Sequence, residues 1–237
     1  MQVLKRIVAR LPNSWQTELK RFYFSLQIRK GTFVTDEPEY DMLDDLISSG
    51  DWVIDVGANI GHYTKRFSEL VGKHGRVISF EPVPATFSLL SANTQRFREQ
   101  NVSLINAAVS DKFAAVGMSL PKFETGLDNY YEAQIASFAD AAVSVLSMSV
   151  DSLCIKRQIA LIKIDAEGHE AFVLAGMKKL IETSRPVLII ETDSKELIGN
   201  LTSLGYTSKK LKNSPNYLFI PKKRIEPISV PLTSGTL

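Results

Sequence analysis

The 237-residue chain holds one cysteine, three histidines and two tryptophans. A single thiol, Cys154, rules out an intrachain disulfide and any multi-cysteine zinc site. Between Leu153 and Ile155, it reads as a buried structural thiol rather than a nucleophile. No apolar run approaches the roughly 20 residues that a membrane-spanning helix needs. The opening residues MQVLKRIVARLP carry charge where a secretory leader would be apolar. The expected location is cytoplasmic, with room for peripheral membrane contact. An excess of one charge is also missing: the formal net charge is only +2, so no general affinity for polyanions follows. There is no G-K-[ST] phosphate loop and no G-x-G-x-x-G dinucleotide fingerprint, which argues against triphosphate hydrolysis and weakens a nicotinamide-dependent oxidoreductase.

What charge there is lies unevenly. Residues 1–30 carry Lys5, Arg6, Arg10, Lys20, Arg21, Arg29 and Lys30 against the single acid Glu18. Such a segment is a solvated helix face or a contact for an anionic membrane surface or acidic partner. Within it Trp15, Leu19, Phe22, Tyr23 and Leu26 recur at spacings of three and four, predicting a helix over 14–29. A second helix start is written at 36-DEPE-39, with Asp36 as cap, Pro38 in the first turn and Glu39 completing a capping box. Tyr40, Leu43, Leu46 and Ile47 form its apolar face, and Gly50 ends it.

From there strands and helices alternate. Strands are expected at 52–56, 76–81, 102–109, 160–165 and 187–191, mostly continuous apolar or β-branched runs of the kind buried on both faces. Helices are expected at 62–71, 84–99, 168–183 and 194–204. Alternation of this sort predicts a parallel sheet covered on both sides. The chain closes differently, on a β-hairpin over 205–222 that puts an antiparallel strand in the sheet, and on a loose tail at 223–237. Residues 111–150 interrupt the alternation, with strands near 113–119 and 142–150 around a loop at 121–132. The domain reading is a basic helical extension (1–34), a catalytic domain (35–222) with an acceptor-side insertion (111–150), and the tail.

The chemistry gathers at strand ends. In 55-DVGANIG-61, Gly57 permits a tight turn with close backbone approach to a ligand, and Gly61 lets the following helix pack near the strand. Glu81 follows Gly61 by 20 residues and closes the next strand, where an acidic residue accepts both hydroxyls of a ribose. Together they specify an adenosine-type ligand. Asn59 stands where a dinucleotide site needs its middle glycine, and Asp55 repels phosphate but suits an ammonium or sulfonium. That combination fits S-adenosylmethionine, an amino acid joined to adenosine without phosphate.

The runs 51-DWVIDVGANIGHYTKRFSE-69, 77-VISFEPVP-84, 104-LINAAVSD-111, 161-LIKIDAEGHE-170 and 188-LIIE-191 closely resemble the FkbM-type methyltransferases. The resemblance covers about residues 35–220 and five motifs in order. It implies an α/β, Rossmann-like class I methyltransferase fold, with a seven-stranded, mostly parallel sheet whose last strand is antiparallel. It also implies S-adenosylmethionine as cofactor and, usually, O-methylation. Carried over by position, Gly57, Ala58, Asn59 and Gly61 line the methionine part and Glu81 holds the ribose. Pro82 and Val83 border the adenine, with Asn106 and Ala107 opposite. His62, Tyr63 and Thr64 can add a hydrogen bond.

Methyl transfer to a hydroxyl needs alignment and a base. Asp165, at the end of the fourth strand, is expected to touch cofactor or acceptor. His169 is the candidate base because its free pKa lies near neutrality, with Glu167 and Glu191 as alternative bases or orienting groups. Carboxylates Glu167 and Glu170 also suit the first turn of a helix for its dipole alone. Clustered carboxylates could hold a divalent metal. Phe123, Asp128, Tyr130 and Tyr131 in the loop suit a sugar-like acceptor, and the resemblance suggests a sugar, glycolipid or secondary metabolite. A nucleic-acid acceptor is not expected, for want of an N-P-P-Y-like motif. A non-catalytic cofactor-binding module is the remaining alternative; intact Asp55, Gly57, Gly61, Glu81 and Asp165 argue against it.

Overall fold

The structure, a computed structural model, describes residues 12–121 and 133–222. The basic residues before Pro12, the loop residues Phe123, Asp128, Tyr130 and Tyr131, and the expected tail at 223–237 lie outside them.

The apolar runs become the middle of one sheet. Strand β1 (Trp52–Val56) pairs in parallel with β2 (Arg76–Phe80) on one side and β8 (Ile159–Ile164) on the other. Outside these lie β3 (Val102–Ile105) and β9 (Val187–Glu191), also parallel. The closing hairpin, β10 (Tyr206–Lys210) and β11 (Asn216–Pro221), inserts β11 antiparallel to β9. The sheet thus has seven strands in the order β10-β11-β9-β8-β1-β2-β3.

Alternate residues of each strand face opposite layers. Val53, Val77, Leu161 and Ile189 pack under α2 (Glu39–Leu46) and α3 (His62–Val71) through Leu43, Phe67 and Val71. Ile54, Ile78, Ile162 and Ile190 pack on the other face. Their cover comes from α5 (Glu170–Ala175), α6 (Lys178–Ser184) and α7 (Lys195–Ser203), through Val173, Ile181 and Leu201.

Several elements differ from expectation for identifiable reasons. The strand over 102–109 divides after Ile105. There Asn106 Nδ2 donates to the carbonyls of Glu81 (2.7 Å) and Pro82 (2.9 Å), and the chain leaves the sheet. Its second part, β4 (Ala108–Val109), joins β5 (Ala114–Ser119), β6 (Gln134–Ala136) and β7 (Val143–Met148) in a separate four-stranded sheet, order β4-β7-β5-β6. The helix over 84–99 stops at Thr94, as α4 (Pro84–Thr94). The helix over 168–183 breaks in two at Gly176, where a Cβ would lie 1.9 Å from the Ser110 carbonyl oxygen. Asp151 then accepts from the backbone N–H groups of Lys179 (2.9 Å) and Leu180 (3.0 Å), capping α6 from a distant loop.

The capping box at 36–39 does not form. Pro38 precedes the first helical residue with no side-chain cap, and the helix ends at Leu46, before Gly50. Glu39 is fully buried, and its Oε1 accepts from Asn216 Nδ2 and from Ser214 Oγ (3.1 Å) in the closing hairpin. A long-range partner has won over a local one. Cys154 is exposed, because it is the left-handed residue that closes a short turn before β8 rather than part of an apolar run.

The first helix, α1 (Asn13–Lys30), forms where expected and ends on Gly31 in the left-handed conformation. It packs on α4 with Phe24 and Ile28, against Phe33, Ile60 and Leu89. The predicted apolar stripe points the other way.

Candidate active site

Sheet order brings the ends of β1, β2 and β8 together, so Gly57, Glu81 and Asp165 meet at one edge, as ligands in open α/β sheets do. Gly57 (φ 78°) lies against β8: a Cβ there would stand 1.9 Å from the Asp165 carbonyl oxygen. Asn59 adopts a left-handed conformation (φ 49°) that asparagine tolerates, and its Oδ1 accepts from Ile60 N–H at 2.8 Å. The turn parts two cavities that share Gly57, Asn59 and Asp165 on their walls.

The first cavity encloses about 610 Å³ when its open mouth is included. Glu81, Pro82 and Ala107 line it, together with Met118 and Ile135 from the second sheet. Glu81 is nearly buried, and its two carboxylate oxygens accept from Asn59 N–H and Val83 N–H, each at 2.9 Å. Each oxygen keeps a further lone pair. Burial pushes this carboxyl up to about 7, against the pull of the two N–H groups. Asn106 is exposed and acts on the Glu81–Pro82 backbone, while Val83 is buried beneath the wall in the cluster with Met118.

Asp165, Glu167 and His169 close the far side of this cavity. Glu167 (φ 49°) and Gly168 (φ 90°) form a left-handed turn ahead of α5, so Glu167 is not in a helical first turn. Glu170 is in that turn, and its Oε1 accepts from Gly168 N–H at 2.8 Å. His169 stacks on Phe172 (centroids 4.6 Å apart) and its Nε2 lies 3.0 Å from Ser110 Oγ. Ser110 in turn donates to Asp111 Oδ1 at 3.1 Å. With that donation, Ser110 oxygen accepts from Nε2–H, and Nδ1 is left as the ring's acceptor. Burial holds the His169 pKa below its ordinary value, despite Glu170 and Asp111.

The second cavity collects charge. Thr35, Glu37, Asp55, His62, Tyr63 and Lys163 line it beside the turn. Asp55 is buried; its Oδ2 accepts from Thr64 Oγ1 at 2.6 Å, while its Oδ1 is buried with no partner. Burial raises this carboxyl to about 6, although Lys163 and Thr64 pull it down. Lys163 is also buried, with Nζ 3.0 Å from Asp165 Oδ2 and over the Tyr63 ring. Burial works against its charge, but Asp165 and Asp55 outweigh that and hold its pKa above the ordinary value. Tyr63 donates to Glu37 Oε2 at 2.6 Å, and burial raises its pKa. The pKa of His62 is lowered by burial, and its ring packs at a tilt against Phe33, with centroids 4.3 Å apart.

Glu191 ends β9, with its carboxyl raised by burial and by Asp165, but it is on the wall of neither cavity. Among the described residues no three His, Cys, Asp or Glu side chains converge as a cation site, so the clustered carboxylates considered from sequence do not assemble one there. Nor, among them, is any helix long and apolar enough to cross a membrane.

Glu37, Lys163 and Ser110 are among the residues around these cavities that escaped sequence reasoning. Lys163 had a signal, since a lysine inside the apolar run 159-IALIKI-164, two residues from Asp165, must share its face of the strand.

The sequence profile described as Methyltransferase FkbM domain matches residues 55–208. A protein-L-isoaspartate O-methyltransferase of Methanothrix thermoacetophila is 37% identical over 65 residues, which cover 27% of this chain and 30% of that protein. Among solved structures, a methyltransferase FkbM from Methylobacillus flagellatus KT is 18% identical, with a TM-score of 0.55, over 72% of this chain and 44% of that one. A SAM dependent methyltransferase from Aquifex aeolicus is 15% identical, with a TM-score of 0.44, over 83% of this chain and 98% of that one. The chain therefore spans less than half the length of the first two relatives, and the Methylobacillus structure shares its fold.

Proposed function

The chain belongs to the FkbM methyltransferase domain family, and from that membership we propose that it transfers a methyl group from S-adenosylmethionine to a hydroxyl of a sugar, glycolipid or secondary metabolite. In this reading residues 35–222 are the catalytic unit and residues 111–150 lie on the acceptor side.

The carrying observation is the buried, unpartnered Asp55 Oδ1 on the wall of the second cavity. A buried polar atom without a partner is costly and marks a missing donor. Three carboxylates, Glu37, Asp55 and Asp165, line that cavity against one lysine, Lys163. The balance attracts an ammonium and a sulfonium and repels a pyrophosphate. At the other end Glu81 offers two free lone pairs to a ribose diol, and Pro82, Ala107, Met118 and Ile135 offer an apolar slot to a base. Bound there, S-adenosylmethionine supplies a methyl group on a sulfonium, activated for in-line displacement by an oxygen.

The chain's own work is alignment and proton removal. The Gly57–Gly61 turn and Lys163-anchored Asp165 fix the donor end against the His169 side. His169 Nδ1 takes the acceptor's proton while Ser110 holds Nε2. Calorimetry with S-adenosylmethionine, S-adenosylhomocysteine and NAD tests the reading. The first two are expected to bind with micromolar-range affinity and NAD not to bind; tight NAD binding with no binding of the others overturns it. A screen of hydroxylated acceptors for a mass gain of one methyl group then identifies the substrate.

A further inference from the structure

Helix α1 has two apolar faces, and among the described residues only one is packed. Phe24 and Ile28 hold it to Phe33, Ile60 and Leu89, while Arg21 reaches Ser88 and Arg96 reaches Ser25, also toward α4. On the opposite face Trp15 is 66% exposed, Leu19 46%, Phe22 72% and Tyr23 56%. From Trp15 to Tyr23 these residues form a stripe about 12 Å long at 1.5 Å per residue. Single exposed apolar residues are ordinary, but a contiguous aromatic stripe on a helix is not.

The charge around the stripe says what covers it. Helix α1 contains four basic residues (Lys20, Arg21, Arg29, Lys30) and one acid (Glu18), a balance of +3. Arg29 and Lys30 are exposed at its last turn. A second copy of the chain would bring two such helices face to face and set like charges against one another. An anionic bilayer complements them, and its interface is where tryptophan, tyrosine, phenylalanine and leucine with a basic border partition.

We propose that the outer face of α1 docks on an anionic membrane surface. Trp15, Leu19, Phe22 and Tyr23 enter the headgroup boundary and the exposed Arg29 and Lys30 meet lipid phosphates. The inner face rests on Ile60, inside the turn that lines the second cavity. Docking therefore sets the 57–61 turn one helix away from the lipid. The inference stands on the helix alone and holds whichever ligand the turn takes.

The test uses the full chain with vesicles of phosphatidylcholine alone and of equal parts phosphatidylcholine and phosphatidylglycerol. Expected is co-sedimentation with the anionic vesicles only, weakened by salt, with a blue shift of tryptophan emission that is lost in Trp15→Phe. The double variant Trp15→Ser/Phe22→Ser, altered only at exposed positions, is expected to melt at the wild-type temperature and to bind at least roughly tenfold less. Binding unchanged in the variant, equal binding to neutral vesicles, or no binding overturns the proposal. So does a vesicle-free dimer that the double variant dissociates, which would assign the face to a second copy.

Discussion

At the scale of single residues, the site is organised by carboxylates that lack solvent. Glu81 is held by two backbone N–H groups, and its remaining lone pairs are what a ribose needs. Glu81→Gln keeps the shape but replaces one acceptor with a donor; loss of a charged hydrogen bond, about 1.5–3 kcal/mol, predicts roughly 10- to 100-fold weaker cofactor binding by calorimetry. The pH dependence follows from burial. Glu81 is raised from 4.5 to about 7 and Asp55 from 3.8 to about 6. The folded protein keeps these protons at pH values where the unfolded chain has lost them. Their contribution to ligand-free stability is therefore complete below the ordinary values and falls as pH rises through 6 to 7. Cofactor affinity runs the other way, rising over the same window because ligation uses the carboxylate forms. A melting series with and without ligand checks both signs, and Glu81→Gln flattens both slopes. His169 must be neutral to accept a proton, so turnover falls as pH drops through a value below 6.5. Ser110→Ala releases Nε2 and is expected to cut turnover about tenfold and move that acid limb, with cofactor affinity unchanged. A purely structural Ser110 would leave the limb in place. Asp55, Gly57, Glu81 and Asp165 were legible as candidates because each sits at a strand end beside a turn, and His169 because a free imidazole titrates near neutrality. Ser110 was not, because only packing brings it to His169.

At the scale of elements, the close approach of β1's turn to β8 is the tightest constraint. Gly57→Ala would drive a Cβ into the Asp165 carbonyl oxygen at a positive φ. It is expected to cost on the order of 3 kcal/mol or more in a denaturant melt and to abolish cofactor binding. Element type was readable from periodicity: the five strand positions and the closing hairpin are all present, and β9 has the expected limits. Boundaries failed where a distant partner intervened. Asn106 ends β3 by bonding to the Glu81–Pro82 backbone, Asp151 caps α6 across a loop, and Asn216 takes the carboxylate of Glu39 that would have capped α2. For α1 the periodicity found the helix but not its buried side, because an apolar stripe does not say which surface it meets.

At the scale of the whole molecule, the order β3-β2-β1-β8-β9 makes one cleft from motifs more than 100 residues apart. A ligand bound across that cleft joins β1, β2 and β8 and should stabilise them together. At a hundredfold excess over Kd the gain is about 2.7 kcal/mol, which for a chain of this size raises Tm by about 5–10 °C. S-adenosylhomocysteine is expected to produce this shift in a thermal melt, and NAD is not. The second sheet, grown from residues 108–148, supplies Met118 and Ile135 to the same cleft. Its two inner strands, β5 and β7, match the strands expected near 113–119 and 142–150, whereas the outer β6 was not expected, being a three-residue strand with no clear alternation.

Sequence alone determined what repeats locally: the alternation of strands and helices, the glycine turn, the acid that closes the next strand, and the antiparallel end of the sheet. Hydrophobic period and backbone conformational need are written residue by residue, so they can be read without coordinates. Tertiary structure decided the rest: Glu37 beside Asp55, Ser110 on His169, and the outward face of α1. Those depend on which surfaces meet, and the free energy of a buried charge or an exposed aromatic is set by its neighbours in space, not along the chain.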